Sequence, residues 1–490
     1  MFTYTTPEKV GISTKNLKWF IDTLEERGCC IHSIIMARGN EIFFEKYWEP
    51  FNKDFQHRMY SATKSFVSLA VGFLEQDGKI SLDDKIAKYF PEETKNITDV
   101  NFKNQTIRHT LMMSTSLPER NWFTAKPDDR VKFYFENPLT ESRPSGTIWN
   151  YDSSGSFILG SMVERVTGKT LIEYLNEKLF NKLGIEGAYM LKCPGGHSWS
   201  DSALVMKTMD LFKSARFVLN GGKWNGEQLL NEEYVRTATS NLIDNSSFGI
   251  CEADCMGYGY QFWRSLRNSF SFYGMGAQLA ICSPDKDMVF AINADTMDAD
   301  VLRSILIELY FDVIYDTAKD YELEEYKGEP IGDKKLYSLK NEIDSPIQEK
   351  INGKKFILNE NPMGIKEFTI NFGNDGKCEF NYVNSQGAKT LYFGMGRNEF
   401  GLFPQEGYSD EMAITYAKDN YYKCAASARW SLENQLIIKI QIIDKYFGNA
   451  AFKIGFTEDL TAGIRMFGAG EYFLEEYNGY ATGIMEAKND

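Results

Sequence analysis

The pattern of apolar and polar residues predicts a β-hairpin followed by a long helix near the start of the chain. Within residues 33–48, Ser33–Ala37 is apolar-rich, Arg38-Gly39-Asn40 is a turn and Glu41–Trp48 alternates, which is typical of a hairpin. Residues 61–76 repeat apolar side chains at the spacing of one helix face, and Asp77-Gly78 provides a helix end. The apolar positions of this predicted helix are Phe66, Val67, Leu69, Ala70, Phe73 and Leu74.

The middle of the chain, roughly residues 80–245, shows mostly helical patterns and long loops. Two segments are clear helices: Ser153–Val166 ends at Gly168, and Asp210–Leu219 ends at Gly221. We therefore expect a helical lobe in this region of the protein.

Strand patterns return after residue 256. Gly257–Trp263 is aromatic and glycine-spaced, and three short runs with strand composition follow it, at Phe270–Tyr273, Gln278–Ser283 and Met288–Ala294. Strands on both sides of a helical lobe favour one α/β (α+β) sandwich, whose antiparallel sheet is interrupted by that lobe. We assign this predicted domain to residues 1–317.

The composition changes after residue 317. Residues 318–350 are rich in charged residues, Gly and Pro, and they predict a charged linker. Residues 351–490 carry short strand patterns with turns about every ten residues, which is typical of an antiparallel β-barrel or sandwich. The clearest of these strands are Lys366–Phe372, Lys377–Val383, Gln435–Ile443 and Phe452–Phe456.

Composition and charge exclude several classes of protein. The 490 residues suggest roughly two to four domains, and 43% hydrophobic with 25% charged residues are ordinary globular values. A net charge of −14 repels phosphate backbones and anionic lipid headgroups, so neither a nucleic acid nor a membrane is an expected partner. No signal peptide and no run of about 18 apolar residues is visible, which favours a cytoplasmic protein.

The eight cysteines and four histidines predict no metal site. No Cys-x-x-Cys pair occurs, and reduced, buried thiols are the expected state in the cytosol. Cys251 and Cys255 have a spacing that could fit a metal ion, but His197 is the only nearby histidine. No cofactor is expected either, and no Gly-x-Ser-x-Gly motif indicates a Ser-His-Asp triad.

Ser61-Ala62-Thr63-Lys64, at the start of the first predicted helix, is the strongest candidate for chemistry. Residues three apart on a helix share a face, so the lysine amine would stand over the serine hydroxyl. The helix macrodipole and burial both disfavour the ammonium form there, and a neutral amine could take the serine proton. Ser61 would also offer its backbone N–H to an oxyanion. The alternative is a helix cap with a lysine that points into solvent.

A second Ser-x-x-Lys sequence serves as an internal control. Ser283-Pro284-Asp285-Lys286 lies in a predicted turn between two strands, where no helix would stack the lysine on the serine. We therefore reject this copy, and its presence shows that the pattern alone is weak.

A tyrosine precedes the predicted helix that begins at Ser153. In the segment Tyr151-Asp152-Ser153, the Tyr151 phenol could move protons to a leaving group if it lay beside a lysine. The alternative is that Asp152 or Ser153 caps the helix and that Tyr151 only packs.

A glycine-rich segment, Phe272–Gln278, forms a third candidate. Gly274 and Gly276 let the backbone approach a ligand closely, and the strand edge could donate a second N–H to an oxyanion. A tight hairpin explains the same composition equally well.

Taken in order, these segments resemble the motifs of serine β-lactamases, penicillin-binding proteins and their esterase and amidase relatives. The resemblance covers about residues 5–315, and it depends on order and spacing rather than on one motif. Met59–Phe66 is similar to the nucleophile motif, and Pro144–Gly155 is similar to the tyrosine motif of class C β-lactamases and related esterases. Gly78–Asp84 and Thr106–Ser114 resemble segments that lie between those motifs in the family.

The resemblance implies a serine hydrolase that forms an acyl-enzyme. Ser61 would be the nucleophile, and Lys64 and Tyr151 would move protons. The backbone N–H groups of Ser61 and Met275 would form the oxyanion hole. The other residues that the resemblance places in the oxyanion and substrate-binding region are Ser153, Tyr273 and Gly274.

Two departures from the family pattern bear on the substrate. Ser153 replaces the asparagine of the family's Tyr-x-Asn, and Phe272-Tyr273-Gly274 replaces Lys-Thr-Gly, so the cation that helps to hold a β-lactam carboxylate is missing. Arg264 or Arg267 would have to supply a charge. The segment resembles instead the glycine-rich Gly-Gln strand of esterase and oligomer-amidase relatives.

The sequence therefore predicts a hydrolase that cleaves a small-molecule ester or amide. A homo-oligomer is compatible with the sequence. The first alternative is a binding or regulatory protein on a degenerate hydrolase scaffold, which the missing cation and Ser153 motivate. The lesser alternative is a β-lactamase or D-alanine-type peptidase, against which the missing cation and export signal both argue. The C-terminal β domain resembles lipocalin-like modules that are appended to some relatives.

Overall fold

Two large β-sheets organise the structure, which is a computed structural model. It describes residues 2–117, 119–121, 125–136, 142–249, 251–297, 300–412 and 414–486. The first sheet carries helices on both faces, and the second closes into a barrel.

The strands of the first part of the chain build one long sheet and two small ones. They are β1 (Thr3–Tyr4), β2 (Cys30–Arg38), β3 (Glu41–Glu49), β4 (Gln56–Arg58), β5 (Tyr189–Met190), β6 (Leu204–Lys207), β7 (Lys223–Trp224), β8 (Glu227–Gln228), β9 (Trp263–Arg264), β10 (Phe270–Gly274), β11 (Gln278–Ser283), β12 (Met288–Asp295) and β13 (Lys334–Lys335). The long sheet has the order β1-β3-β2-β12-β11-β10-β9, and β13 joins it beside β3. The neighbours from β3 to β9 are antiparallel, so β2 and β3 form the predicted hairpin.

Helices cover both faces of this sheet. The described α-helices are Thr14–Glu26, Thr63–Gln76, Pro91–Thr94, Val100–Lys103, Ile107–Leu111, Arg130–Glu136, Ser153–Thr167, Leu171–Leu175, Asn181–Leu183, Thr208–Leu219, Glu232–Ala238, Asp300–Leu309, Ile347–Ile351 and Tyr472–Glu475, and π-helical turns lie at Asn176–Phe180 and Tyr310–Tyr315. The apolar stripe of Thr14–Glu26 packs on one face of the sheet together with Asp300–Leu309. Thr63–Gln76 and Thr208–Leu219 pack on the opposite face, beneath the helical lobe.

The predicted helices are confirmed within a few residues. Helix Ser153–Thr167 ends at Gly168, which adopts the left-handed conformation that favours glycine at a helix end. The strand expected within Gly257–Trp263 is wrong apart from Trp263 itself. Gly257 (φ 107°) and Gln261 (φ 61°) turn the chain out of the extended conformation, so this segment is mostly a loop.

The second sheet confirms the predicted C-terminal barrel. Its strands are β14 (Lys355–Leu358), β15 (Glu367–Phe372), β16 (Lys377–Asn384), β17 (Gly387–Met395), β18 (Glu399–Tyr408), β19 (Tyr416–Leu432), β20 (Gln435–Ile443), β21 (Phe447–Phe456), β22 (Ala462–Ala469) and β23 (Gly479–Met485). Nine strands form a ring in the order β17-β16-β15-β14-β23-β22-β21-β20-β19, which the parallel pairing of β19 with β17 closes; β18 pairs with β19. Closure removes the unpaired edges that an open sheet would expose.

Aromatic side chains fill the interior of the barrel, because alternate residues of its strands point inward. Those buried at the centre include Phe356, Phe368, Phe380, Trp430, Phe452 and Phe456. The barrel meets the first sheet where β21 lies against β12, and there Asn449 Nδ2 donates a 3.0 Å hydrogen bond to Asp295 Oδ2. The two parts of the protein therefore share a buried, hydrogen-bonded interface.

Two further features concern the whole of the described chain. None of the helices within the described ranges is both long enough and apolar enough to cross a membrane. Six cysteines are free thiols: Cys193, Cys251, Cys255, Cys282, Cys378 and Cys424.

Candidate active site

Ser61 lies at the junction between a tight turn and the helix that was predicted from its apolar spacing. The turn is a 3₁₀ segment, Tyr60–Ala62, and the α-helix begins at Thr63 rather than at Ser61. Tyr60 adopts φ 47°, a left-handed conformation that is costly for a residue with a large side chain. The serine is thereby held at the N-terminus of the helix and is partly exposed.

Lys64 stands over Ser61, as the three-residue spacing predicts. Its Nζ lies 3.1 Å from Ser61 Oγ and donates a 2.8 Å hydrogen bond to the backbone carbonyl of Asp201. The residue is 2% exposed, and no carboxylate of the described residues forms a salt bridge with it. The alternative of a solvent-facing lysine is therefore wrong.

The carboxyl group of Asp201 lies in the same buried region. Burial raises its pKa, although the positive charges of Lys64 and Arg130 act in the opposite direction. The negative charge is therefore disfavoured near Lys64, and the neighbour that contacts the amine directly is a neutral carbonyl oxygen.

Tyr151 forms a three-residue cluster with Ser61 and Lys64 at the helix N-terminus. Its hydroxyl donates a 2.7 Å hydrogen bond to Ser61 Oγ, and its ring centroid lies 5.1 Å from Lys64 Nζ. Asp152 caps the following helix by accepting a 2.9 Å hydrogen bond from the backbone N–H of Gly155. Asp152 therefore caps the helix, as the one interpretation of this segment expected. Tyr151 contacts the serine hydroxyl, as the other expected.

A wall of aromatic rings lies beside the cluster. Phe248 stacks on Tyr151 with centroids 5.9 Å apart, and Trp263 and Trp149 lie 5.9 Å and 6.3 Å from the same ring. Phe248 is exposed, whereas the two tryptophans are buried. This arrangement offers an apolar, planar surface next to the serine hydroxyl.

The glycine-rich segment passes close to the nucleophile turn. A Cβ on Gly274 would lie 2.3 Å from the carbonyl oxygen of Met59, so only glycine allows this approach of β10 to the Ser61 turn. Met275 follows directly in a short turn that contacts Tyr60–Ala62. The turn that contains Met275 therefore lies against the turn that contains Ser61.

Tyr273 and Ser153 make other contacts. The Tyr273 hydroxyl donates a 2.7 Å hydrogen bond to Asp254 Oδ1, and Arg303 Nη2 lies 3.0 Å from Asp254 Oδ2. Burial raises the pKa of the Tyr273 phenol well above its usual value. The backbone N–H of Ser153 donates a 2.9 Å hydrogen bond to Glu119 Oε1. Both residues border the site, but the hydroxyl of Tyr273 is directed to an ion pair.

The two arginines considered as substitutes for the missing cation are bound elsewhere. Arg264 donates to the carbonyl of Thr239 and to Asn268 Oδ1. Arg267 forms salt bridges with Asp312 and Asp316. Neither guanidinium therefore replaces the lysine of the family's strand motif.

The internal control behaves as its turn location predicts. The Ser283 hydroxyl lies 2.8 Å from Ser269 Oγ, and Lys286 Nζ donates to the carbonyls of Tyr315 and Ala318. The same four-residue pattern thus yields a contact between hydroxyl and amine only where a helix follows the serine.

Histidines and metal ligands contribute nothing to the cluster. His109 Nδ1 lies 2.9 Å from Ser145 Oγ and takes part in a helix capping box. Within the described ranges, no three His, Cys, Asp or Glu side chains lie together as a metal site would require.

Sequence patterns missed several residues that surround Ser61. The Asp201 carbonyl, the Asp254–Arg303 pair and the barrel residue Glu471 are isolated in sequence from every motif. The left-handed conformation of Tyr60 could not be predicted either, because a tyrosine gives no sequence signal for it.

The fold and this cluster define a class, that of the β-lactamase-fold serine hydrolases. The family model described as Beta-lactamase matches residues 32–312, more than half of the chain, and the chain therefore belongs to that family.

Two curated relatives match parts of the chain. The 6-aminohexanoate-dimer hydrolase of Paenarthrobacter ureafaciens is 24% identical over 250 residues, which cover 47% of this chain and 63% of that protein. Esterase EstB of Burkholderia gladioli is 26% identical over 194 residues, which cover 34% of this chain and 48% of that protein. The chain thus matches less than two thirds of the length of either relative.

One solved structure is similar across both domains. The octameric penicillin-binding protein homologue from Pyrococcus abyssi superposes with a TM-score of 0.50 and 15% identity, and the match covers 96% of this chain and 99% of that chain. At this identity the similarity shows the shared fold, including the C-terminal barrel.

Proposed function

We propose that the protein hydrolyses a neutral ester or small amide through an acyl-enzyme on Ser61. The observation that carries this proposal is the convergence of three groups: Ser61 Oγ lies 3.1 Å from Lys64 Nζ and 2.7 Å from the Tyr151 hydroxyl. A hydroxyl with a base and a second proton donor at hydrogen-bond distance is the arrangement that nucleophilic catalysis requires.

Lys64 acts as the base in the first step. The Asp201 carbonyl accepts one N–H of the buried amine, and the same nitrogen lies 3.1 Å from Ser61 Oγ, within reach of the hydroxyl proton. Nζ takes the hydroxyl proton while Oγ attacks the substrate carbonyl carbon. The negative charge that develops on the carbonyl oxygen is stabilised by the backbone N–H groups of Ser61 and Met275.

Tyr151 acts on the leaving group. Its hydroxyl gives a proton to the departing oxygen or nitrogen as the bond to the carbonyl carbon breaks, and it recovers a proton from the Lys64 ammonium. A water molecule then attacks the acyl carbon and gives one proton to Lys64. Ser61 Oγ leaves with that proton, so the acid is released and the free enzyme is restored.

The surroundings of the cluster favour a substrate without a carboxylate. The buried Phe272 aligns with the lysine of the family's strand motif, and Arg303 is paired with Asp254. The aromatic wall formed by Trp149, Phe248 and Trp263 suits an apolar or planar group next to the scissile bond. The names of the two relatives, a 6-aminohexanoate-dimer hydrolase and an esterase, support the same reaction class.

The test compares two serine variants on p-nitrophenyl butyrate. Ser61→Ala should abolish turnover, whereas Ser283→Ala removes the serine of the control motif and should keep it. A fluorophosphonate probe should label the wild type at Ser61 and leave Ser61→Ala unlabelled. Full activity in Ser61→Ala would refute the proposal, and a folded wild type that neither turns over esters nor reacts with the probe would favour the binding-protein alternative.

A further inference from the structure

A carboxylate from the C-terminal barrel is buried against the nucleophile turn. Glu471 is 5% exposed, and its Oε1 accepts hydrogen bonds from the Tyr60 hydroxyl and, at 3.1 Å, from Arg58 Nη1. Tyr60 directly precedes Ser61, and more than 400 residues separate it from Glu471. The barrel therefore reaches the residue next to the proposed nucleophile.

The first contact holds a strained residue. Tyr60 has φ 47°, which disfavours a tyrosine and persists only where its surroundings enforce it. Its ring packs 4.5 Å from the Phe447 ring of the barrel and 4.4 Å from the Arg58 guanidinium. Glu471 anchors the hydroxyl end of the same side chain. The barrel thus supplies both the packing and the acceptor that keep the Ser61 turn in shape.

The second contact leads to the base. Arg58, held by Glu471, donates from Nε to the Ser202 carbonyl at 2.9 Å and from Nη2 to Ser202 Oγ at 3.1 Å. Ser202 follows Asp201, whose carbonyl binds Lys64 Nζ at 2.8 Å. One buried carboxylate is therefore linked to Ser61 through Tyr60 and to Lys64 through Arg58.

The third contact reaches the glycine-rich segment. Gly276 (φ 73°) lies under the Phe447 ring, where an added Cβ would be 2.3 Å from a ring atom. The barrel residue next to Tyr60 thus also covers the segment that contains Met275. One end of the barrel therefore contacts the nucleophile turn and the oxyanion segment directly, and it is linked to the base through Arg58.

We propose that the barrel completes the active site, with Glu471 as a positioning residue that aligns Ser61 and Lys64. This inference rests on the proposed hydrolase function. Positioning of reacting groups matters because a displacement of about 1 Å can cost 10²-fold in rate. The interior of the barrel is filled with aromatic side chains, so its contribution comes from its end and not from a ligand inside it.

The test uses the full-length protein and two variants that retain side-chain shape. Glu471→Gln removes the negative charge that pairs with Arg58. Tyr60→Phe removes only the hydroxyl that donates a hydrogen bond to Glu471. Each should lower kcat on p-nitrophenyl butyrate by about 10- to 100-fold, with KM within about threefold, and should slow fluorophosphonate labelling of Ser61 in parallel. Glu475→Gln, an exposed carboxylate on the next helix, is the matched control and should behave as wild type.

The double variant Tyr60→Phe with Glu471→Gln separates positioning from simple stability. Residues that act through one network have non-additive effects, so the double variant should lose less than the product of the single losses. Unchanged kcat and labelling rate in both folded single variants would overturn the inference, even if their melting temperatures fell. If Glu471→Gln failed to fold, Tyr60→Phe would carry the test alone. Activity that survives Ser61→Ala would instead refute the hydrolase proposal itself.

Discussion

The hydroxyl of Tyr151 donates a 2.7 Å hydrogen bond to Ser61 Oγ, although the two residues are 90 positions apart in the chain. The helix that follows Tyr151 packs against the helix that follows Ser61, and Asp152 fixes where the first of them begins. Two helix starts are thereby brought together, and the phenol, the hydroxyl and the Lys64 amine meet at this point.

Replacement of the buried amine should remove the base. Lys64→Met keeps the length and apolar stem of the side chain, and kcat on p-nitrophenyl butyrate should fall by about 10² to 10⁴-fold. Lys286→Met is the matched control, because it removes the lysine of the second Ser-x-x-Lys sequence, whose amine donates to backbone carbonyls and not to the serine. Steady-state kinetics on both variants checks this prediction, and wild-type turnover by Lys64→Met would exclude the proposed role.

Loss of the Tyr151 hydroxyl should depend on the leaving group. Tyr151→Phe removes the proton donor but keeps the ring against Phe248 and Trp263. An alkyl ester or anilide, whose leaving group needs a proton, should lose about 10²-fold or more in kcat, and a p-nitrophenyl ester should lose clearly less. Tyr89→Phe, whose hydroxyl binds Asp84, is the control. Equal losses on both substrates would argue that Tyr151 only packs.

A carboxylate on the substrate should be unfavourable. Since Phe272 stands in place of the cation and the chain carries a net charge of −14, a p-nitrophenyl ester with a terminal carboxylate lacks a charged partner. Desolvation of a carboxylate without a partner costs about 1 to 3 kcal/mol or more, so kcat/KM should be roughly tenfold or more below that of the neutral ester of equal length. Kinetics on the matched pair measures this ratio, and a preference for the acid would contradict the assignment.

Two stacked histidines should make the protein sensitive to acid. Burial lowers the pKa of His57 to about 3 and holds that of His32 well below its usual value. Below pH 6.5 the unfolded chain binds protons that the folded chain does not, so stability falls as the pH falls from 6.5 toward 3. At pH 4.5, which is two units below the unfolded pKa of 6.5, His57 should cost about 2 to 3 kcal/mol of stability, and His32 should add a loss of the same sign.

The variant His57→Phe keeps an aromatic ring beside Phe51 and removes one of these groups. Denaturant unfolding at pH 7 and pH 4.5 should show a smaller loss of stability in the variant than in the wild type. His197→Gln serves as the control of opposite sign. A hydrogen bond to Glu164 raises the pKa of His197, so its contribution is present at low pH and is lost as the pH rises. An unaltered pH dependence in His57→Phe would show that this histidine is not the cause.

Local patterns were enough to predict the elements that carry the site. The apolar spacing after Ser61 predicted the helix that the structure places at Thr63–Gln76. Residues three apart at a helix start lie on one face, so the contact between Ser61 and Lys64 follows from that helix. The alternation in residues 351–490 predicted the barrel. The segment Gly257–Trp263 was misjudged, because aromatic content favours strands while left-handed residues in the segment break the extended backbone.

The sequence alone determined where the main helices and strands of the site and the barrel lie, and which hydroxyl can share a helix face with an amine. Such properties depend on neighbours within a few positions, and the spacing of residues encodes them directly. Only the tertiary structure decided that Tyr151 contacts Ser61, that the Asp201 carbonyl holds Lys64, and that a barrel carboxylate, Glu471, is buried behind the turn. These contacts arise from the packing of distant segments, and burial and direction of a side chain in a packed core follow from the whole fold rather than from local spacing.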